Sequence, residues 1–135
     1  MKIYFAGSIR GGREKQQDYF EIIKFCGQFG EVLTEHVGDS NLKVNGEQKT
    51  DEYIYLRDVN WIEQSDIILA DVTIASLGVG YEIAYAEKLN KNIICIYDKN
   101  TNNNISAMIS GNKNLYCKGY NDLEEAKKII QEHIK

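Results

Sequence analysis

Residues 76–82, with the sequence SLGVGYE, hold the side chains that are best placed for chemistry. They follow the apolar run 67–72 and open a helical pattern, so we predict a strand, a glycine-rich turn and the start of a helix. This arrangement puts backbone N–H groups and side chains at the carboxyl edge of a sheet, where open α/β folds bind ligands. We therefore expect Ser76 and the two glycines to bind an anion and Glu82 to do the chemistry. The alternative is that Glu82, in the first helical turn, only complements the helix dipole.

A second glycine-rich turn stands where the first predicted strand meets the first predicted helix. Its flexible backbone, one hydroxyl and two guanidinium groups suit a phosphate monoester, and it comprises Gly7, Ser8, Ile9, Arg10, Gly11, Gly12 and Arg13. Gly7 and Gly12 are spaced as in a P-loop, but Arg13 and Glu14 replace the Lys and Ser/Thr that bind a triphosphate with Mg²⁺. The alternative is an ordinary turn with solvated arginines.

Length and composition are those of one soluble globular domain over residues 1–135. The chain has 43% hydrophobic residues, 27% charged residues and a formal net charge of −4. It has no basic run, so we do not expect it to bind nucleic acid, and its apolar runs are too short to cross a membrane. Its three cysteines lack metal-ligand spacing and suit a reducing compartment. We therefore predict a cytoplasmic protein without a metal site.

Apolar periodicity divides the chain into alternating strands and helices. Strands are predicted at residues 2–6, 31–37, 67–72, 92–97 and 115–120. Helices are predicted at residues 14–29, 51–64 and 80–89, followed by a helical turn at 105–109 and a last helix after residue 121. The alternation predicts an α/β fold, a Rossmann-like or flavodoxin-like three-layer sandwich with a parallel sheet of about five strands. Residues 38–49 form a predicted loop that is long enough to be functional.

Five stretches of the chain together resemble one known family. They are residues 4–13, 32–37, 58–61, 76–82 and 105–109, and they are closely similar to the 2′-deoxynucleoside 5′-monophosphate N-glycosidases of the nucleoside 2-deoxyribosyltransferase superfamily. The resemblance implies hydrolysis of the N-glycosidic bond of a deoxynucleoside 5′-monophosphate. The products would be a free base and 2-deoxyribose 5-phosphate, and no cofactor would be needed.

The resemblance also implies three catalytic residues. Glu82 matches the nucleophile, which forms a covalent glycosyl-enzyme that water then hydrolyses. Asp58 matches the acidic partner that helps the base to leave, by donating a proton or a hydrogen bond. Tyr4 matches a tyrosine that positions the nucleophile and selects deoxyribose. Without the resemblance, we would interpret Asp58 as a solvated or salt-bridged residue and Tyr4 as a packed core aromatic.

The same resemblance assigns the phosphate site. The loop 7–13 matches the nucleotide-binding loop, and Ser76 and Gly78 complete the phosphate pocket. Ser106 matches a serine that reaches the phosphate from the neighbouring subunit, which implies a homodimer with shared sites. By default His36 is a structural histidine, and we assign no chemistry to Trp61.

Several functions remain open at this point. A deoxyribosyltransferase would pass the same covalent sugar to a second base, and a related N-glycosidase would act on cytidine monophosphate or its hydroxymethyl form. A nucleotide-binding sensor without turnover would keep the phosphate loop but would not need Glu82 or Asp58. The chain differs from the animal members of the family at residues 37–51 and 55–57, so the preferred base also remains open.

Overall fold

Five parallel strands form the central sheet of the computed structural model within the part of the chain that it describes, residues 1–9, 15–38, 49–102 and 104–134. The strands are β1 (Lys2–Ala6), β2 (Glu31–Val32), β3 (Ile67–Asp71), β4 (Asn92–Asp98) and β5 (Tyr116–Tyr120). Their order in the sheet is β2-β1-β3-β4-β5, and every neighbouring pair is parallel. This flavodoxin-like order confirms the predicted α/β fold with a parallel sheet.

Helices cover both faces of the sheet. They are α1 (Gln16–Cys26), α2 (Asp51–Gln64), α3 (Leu77–Lys88), α4 (Ala107–Ser110) and α5 (Leu123–His133), together with a 3-10 helix (Glu35–Gly38). Side chains alternate between the two faces along a strand, so Ile3 and Phe5 pack in one core with α1 and α5. Tyr4 and Ala6 pack in the other core with α2 and α3. The candidate site is built on this second core.

Hydroxyl side chains determine where two of the helices begin. Thr50 Oγ1 accepts a hydrogen bond from a first-turn N–H at 3.1 Å, and α2 starts at the predicted residue. Ser76 Oγ accepts one from the Val79 N–H at 3.2 Å, and α3 begins at Leu77, not at residue 80 as predicted. This cap offsets the low helix propensity of the two glycines that follow. Glu82 therefore lies in the second turn of α3, and the prediction that it lies in the first turn is wrong.

The second strand is shorter than predicted, because the prediction of a strand over residues 31–37 is wrong beyond Val32. Thr34 Oγ1 accepts a hydrogen bond from the Phe5 N–H at 2.7 Å and donates one to the Phe5 carbonyl at 2.8 Å. This side chain takes the place of the backbone ladder, so the chain leaves the sheet and enters the 3-10 helix. Thr34 thereby ties that helix to the carboxyl end of β1.

The other boundaries differ from the predictions by a few residues. Helix α1 is shorter at both ends, β3 ends at Asp71, and β4 extends to Asp98. Helix α4 begins after Ser106, which caps it. Most of the loop predicted at residues 38–49 lies outside the described residues. Within the described ranges, no helix is both long enough and apolar enough to span a membrane.

Candidate active site

Tyr4 and Glu82 meet on the second core, although 78 positions separate them in the sequence. Tyr4 is 1% exposed and points from β1 toward α3. Its hydroxyl donates a hydrogen bond to Glu82 Oε2. The fold thus brings together two of the three residues predicted to be catalytic.

The surroundings of Glu82 disfavour its negative charge. Glu82 is partly buried as a residue, and burial of its carboxyl group raises the pKa from 4.5 to about 8. A carboxylate in such surroundings gains stability when a positive charge develops beside it. A perturbed pKa of this kind, in a group at the ligand-binding edge of an α/β sheet, is typical of a functional residue.

The turn that follows β1 contains an unusual hydroxyl group. Ser8 is fully buried, and its Oγ has no hydrogen-bond partner within the described residues. Gly7 before it packs so closely that a Cβ would lie 2.9 Å from the Tyr19 ring. A buried hydroxyl without a hydrogen-bond partner is energetically costly, so the Ser8 hydroxyl is suited to form a hydrogen bond with a ligand. The predicted site residues Arg10, Gly11, Gly12 and Arg13 lie outside the described residues, and Ile9 packs partly against the first core.

The start of α3 leaves open space around its glycines. Among the described residues, a Cβ on Gly78 would have Ser76 Oγ as its nearest neighbour, at 3.8 Å, and a Cβ on Gly80 would meet nothing within 4 Å. Packing against this part of the chain therefore does not require glycine at either position. The open space next to the capped helix N-terminus is suited to the approach of an anion.

Asp58 belongs to a cluster that joins Arg57 and Trp61 of α2 to His36 of the 3-10 helix. Arg57 donates to Asp58 Oδ1 through Nε at 2.9 Å and forms an ion pair through Nη2 at 2.8 Å. Arg57 Nη2 also lies 3.3 Å from His36 Nε2. The guanidinium carbon lies 4.7 Å from the centre of the Trp61 ring, and Trp61 packs against the core that holds Tyr4. Asp58 is therefore half-buried and ion-paired on the same face of the sheet as the Tyr4–Glu82 pair.

Ser106 lies at the N-terminus of α4, where its Oγ accepts a hydrogen bond from the Met108 N–H at 3.2 Å. It lines a groove of about 560 Å³ between α3 and α4, together with Ser76. The groove is mostly apolar, and on its rim Leu77 is 97% exposed and Met108 is 81% exposed. Ser106 is thus solvent-accessible on the outside of the sandwich.

Comparison with known proteins identifies the family. The family model described as nucleoside 2-deoxyribosyltransferase matches residues 3–131. The chain belongs to this family. Among curated relatives of this nucleoside 2-deoxyribosyltransferase family protein, a Nematostella vectensis protein named "Putative 2'-deoxynucleoside 5'-phosphate N-hydrolase 1" is 48% identical over 126 residues, covering 90% of this chain and 86% of the relative.

Two further comparisons extend this result. This chain is 42% identical over 141 residues to the 5-hydroxymethyl-dUMP N-hydrolase of Esox lucius, and the match covers 100% of this chain and 97% of the relative. The solved structure of the Clostridium botulinum CMP N-glycosidase BcmB matches with a TM-score of 0.69 at 18% identity, covering 98% of this chain and 99% of that one. At that identity the structural match supports the fold alone.

Sequence reasoning did not assign chemistry to Arg57, His36 or Trp61 in this family member. The signal that could have indicated Arg57 is its spacing, because Tyr53, Arg57 and Trp61 stand four residues apart on one helix and share a face. His36 comes close to Arg57 because the hydrogen bonds of Thr34 to Phe5 turn the chain away from the sheet. The sequence pattern did not predict that turn.

Within the described residues, no group of three or more His, Cys, Asp or Glu side chains is arranged to hold a metal ion.

Proposed function

We propose that this protein hydrolyses the N-glycosidic bond of 2′-deoxynucleoside 5′-monophosphates to a free base and 2-deoxyribose 5-phosphate. The observation that carries the proposal is the buried Tyr4–Glu82 pair, in which a carboxyl group with a pKa of about 8 receives a tyrosine hydrogen bond. The names of curated relatives that are 42% and 48% identical support the same reaction class.

In this mechanism Glu82 is the nucleophile. Its ionised carboxylate attacks C1′ of the sugar, a C1′–O bond forms, and the C1′–N bond breaks with its electron pair leaving on the base. Water then attacks C1′ and releases the sugar phosphate with the carboxylate regenerated. The transition state carries positive charge on the sugar ring, which a carboxylate in low-dielectric surroundings stabilises strongly. Tyr4 donates a hydrogen bond to one oxygen of the Glu82 carboxylate and thereby orients the other oxygen for attack.

Asp58 acts at the other end of the scissile bond, where it assists the departure of the base. Arg57 Nη2 forms an ion pair with Asp58 Oδ1 at 2.8 Å. This pairing supports a role for Asp58 in orienting the base through a hydrogen bond.

The phosphate is bound by the turn after β1 and the start of α3. Ser8 supplies a buried hydroxyl without a partner in the described part of the chain, and Ser76 and Gly78 contribute the N-terminal edge of α3. Residues 10–13 provide two guanidinium groups that suit a phosphate monoester.

The functional unit is a homodimer in this proposal. An exposed apolar patch larger than is usual for a monomer indicates a partner surface, and the groove between α3 and α4 carries the exposed side chains of Leu77 and Met108. A second copy seated there would cover these side chains and bring its Ser106 toward the phosphate. Light scattering after size exclusion tests this proposal, and a monomeric wild-type protein at micromolar concentration would contradict it.

The protein acts in the cytoplasm in this proposal, since Cys26, Cys95 and Cys117 are all free thiols. A reducing compartment keeps such thiols unpaired.

The deciding experiment measures base release from dGMP, dAMP, dCMP, dTMP and 5-hydroxymethyl-dUMP by chromatography. We expect release from at least one of them, with little from the matching nucleosides or ribonucleotides. Release from CMP would support the ribonucleotide alternative, and formation of a new nucleotide in the presence of an excess of a second base would support a transferase. Binding without release from any nucleotide would contradict hydrolysis and leave the sensor function.

A further inference from the structure

Arg57 is a permanently charged side chain held in the middle of a planar, π-rich environment. Its guanidinium carbon lies 4.7 Å from the centre of the Trp61 ring and 5.7 Å from the centre of the Tyr53 ring. Nε and Nη2 reach Asp58 Oδ1, and Nη2 reaches His36 Nε2 at 3.3 Å. The side chain is only 15% exposed. Burying an arginine to this extent needs partners on several sides, and the cluster supplies them from two separate elements.

The elements that carry this cluster differ from those that carry the groups suited to phosphate, which indicates that the cluster serves the base end of the proposed substrate. The groups suited to phosphate lie in the turn after β1 and at the start of α3, whereas Arg57 lies on α2 beside Asp58. Flat rings and a guanidinium plane stack on nucleobases, and Trp61 connects the cluster to the core that holds Tyr4. The 3-10 helix that carries His36 is fixed by the two hydrogen bonds of Thr34 to Phe5.

We propose that Arg57 is a further catalytic residue, which stabilises the negative charge that develops on the nucleobase as it leaves. When the C1′–N bond breaks, its electron pair moves onto the ring nitrogen and is delocalised onto the carbonyl oxygens of the base. A guanidinium N–H donates to such an oxygen and neutralises the charge without transferring a proton. The base takes up its proton afterwards from solvent water, and the hydroxide equivalent completes hydrolysis of the glycosyl-enzyme.

In this arrangement Asp58 is a positioning residue for Arg57 as well as a partner of the base. Both guanidinium contacts converge on the single oxygen Oδ1, so the ion pair fixes the plane of the guanidinium. The inference rests on the proposed function, because it assigns a step of the same reaction.

The test compares substrates whose bases differ in how readily they leave. For a pyrimidine-accepting enzyme the pair is dUMP and 5-fluoro-dUMP, whose base is more acidic. For a purine-accepting enzyme it is dGMP and N7-methyl-dGMP, whose base leaves uncharged. We expect Arg57→Met to lower kcat about 10²-fold for the poorer leaving group and less than about tenfold for the better one. Arg57→Lys, which keeps the charge but not the planar fork, should fall between the wild type and Arg57→Met for the poorer leaving group.

The control is Asn60→Ala, an exposed residue on the same helix, which should change neither rate more than about twofold. Thermal unfolding of each variant checks the fold, and Arg57→Lys provides the comparison if Arg57→Met does not fold. Equal losses on both substrates would overturn the inference. A loss of the preference for dUMP over deoxyuridine would also overturn it, because Arg57 would then serve the phosphate. Absence of turnover in the wild type would instead overturn the proposed function itself.

Discussion

Two acidic residues near the carboxyl edge of the sheet, Glu82 and Asp71, face opposite cores and differ in the hydrogen bonds that they accept. Asp71 ends β3 and is fully buried on the side of α1 and α5. Its Oδ1 accepts from the Thr73 N–H at 3.0 Å, and its Oδ2 accepts from the Tyr120 hydroxyl at 2.9 Å. Glu82 faces the other core, where its Oε2 accepts a hydrogen bond from the Tyr4 hydroxyl.

A cation completes the environment of Asp71. Lys15 is 7% exposed, lies 5.4 Å from the centre of the Tyr120 ring and forms ion pairs with Asp18 at 2.6 Å and Asp98 at 3.0 Å. Burial alone would lower the pKa of Lys15, but its bonds to these groups raise it, so the ammonium stays charged. Burial also disfavours the charged form of Asp71 and raises its pKa. The hydrogen bonds of Thr73 and Tyr120 and the charge of Lys15 oppose this rise without cancelling it.

The difference separates a structural carboxylate from a reactive one. Asp71 accepts hydrogen bonds on both oxygens from groups within the chain, so it connects the end of β3 to Thr73 and to β5. The pKa of Glu82 is raised by burial alone. A positively charged sugar in the transition state would supply a counter-charge that none of the interactions of Glu82 with the described residues provides.

Loss of Glu82 tests the reactive side of this comparison most strongly. We expect Glu82→Ala to lower kcat at least about 10⁴-fold, because the covalent route is lost, while nucleotide binding measured by calorimetry stays detectable. Glu63→Gln is a matched control, since Glu63 also receives a tyrosine hydrogen bond, from Tyr85 at 2.5 Å, but on the exposed surface. Unchanged activity in Glu82→Ala would remove this residue from its proposed role.

Removal of the Tyr4 hydroxyl tests how the carboxylate is held. Tyr4→Phe should lower kcat/KM roughly 30-fold, or about 2 kcal/mol, which is within the range for a hydrogen bond to a charged group. A donor favours the charged carboxylate, so its loss should also move the acidic limb of the rate profile above pH 8. Tyr85→Phe is the matched control and should leave the profile unchanged. A rate loss without a shifted profile would indicate that Tyr4 contacts only the substrate.

Disruption of the Asp71 network should act on stability instead. Asp71→Asn replaces one of the two accepting oxygens by an NH₂ donor, so either the Thr73 N–H or the Tyr120 hydroxyl loses its acceptor. The variant should lower the free energy of unfolding by about 2 kcal/mol, measured by urea denaturation. We expect kcat of the folded variant to change less than about threefold. A large loss of kcat with unchanged stability would place Asp71 in the chemistry and break the comparison.

The pH dependence of stability and of activity tests the raised pKa of Glu82. Folded Glu82 keeps its proton up to about pH 8, whereas in the unfolded chain it loses the proton near pH 4.5. The unfolded state thus binds fewer protons in this window, and stability should fall by up to about 1.4 kcal/mol per pH unit as pH rises. Over the same range kcat/KM should rise up to tenfold per unit, because the nucleophile must ionise. Glu82→Gln should flatten the stability curve, and a slope equal to that of the wild type would contradict the assignment.

The sequence predicted the layout of the sheet well, because that layout follows from local patterns. Strands β1 and β3 are short apolar runs, and their bounds agree with the prediction within one residue. The bounds of α2 also agree, although its apolar spacing is less regular than that of α1. The predictions were wrong where one side chain overrides a pattern. Thr34 ends β2 by bonding to Phe5, and Ser76 starts α3 three residues early despite the glycines.

The candidate site was harder to predict from local patterns. No periodicity connects Tyr4 to Glu82, and only the resemblance to a family paired them. The contacts of Arg57 and the network around Asp71 were not predicted at all, because each needs side chains from elements that are distant in sequence. The roles of Asp58, Ser76 and Ser106 stay predictions.

The shortness of β2 limits the unpaired backbone that this edge of the sheet exposes. An edge strand with many unpaired N–H and C=O groups is a template for a neighbour's strand, and proteins limit this hazard by keeping edge strands short or charged. Strand β2 pairs over two residues only, since Thr34 diverts the chain. On the opposite edge β5 carries the exposed Lys118. Both margins of the sheet therefore discourage edge-to-edge pairing with the strand of another chain.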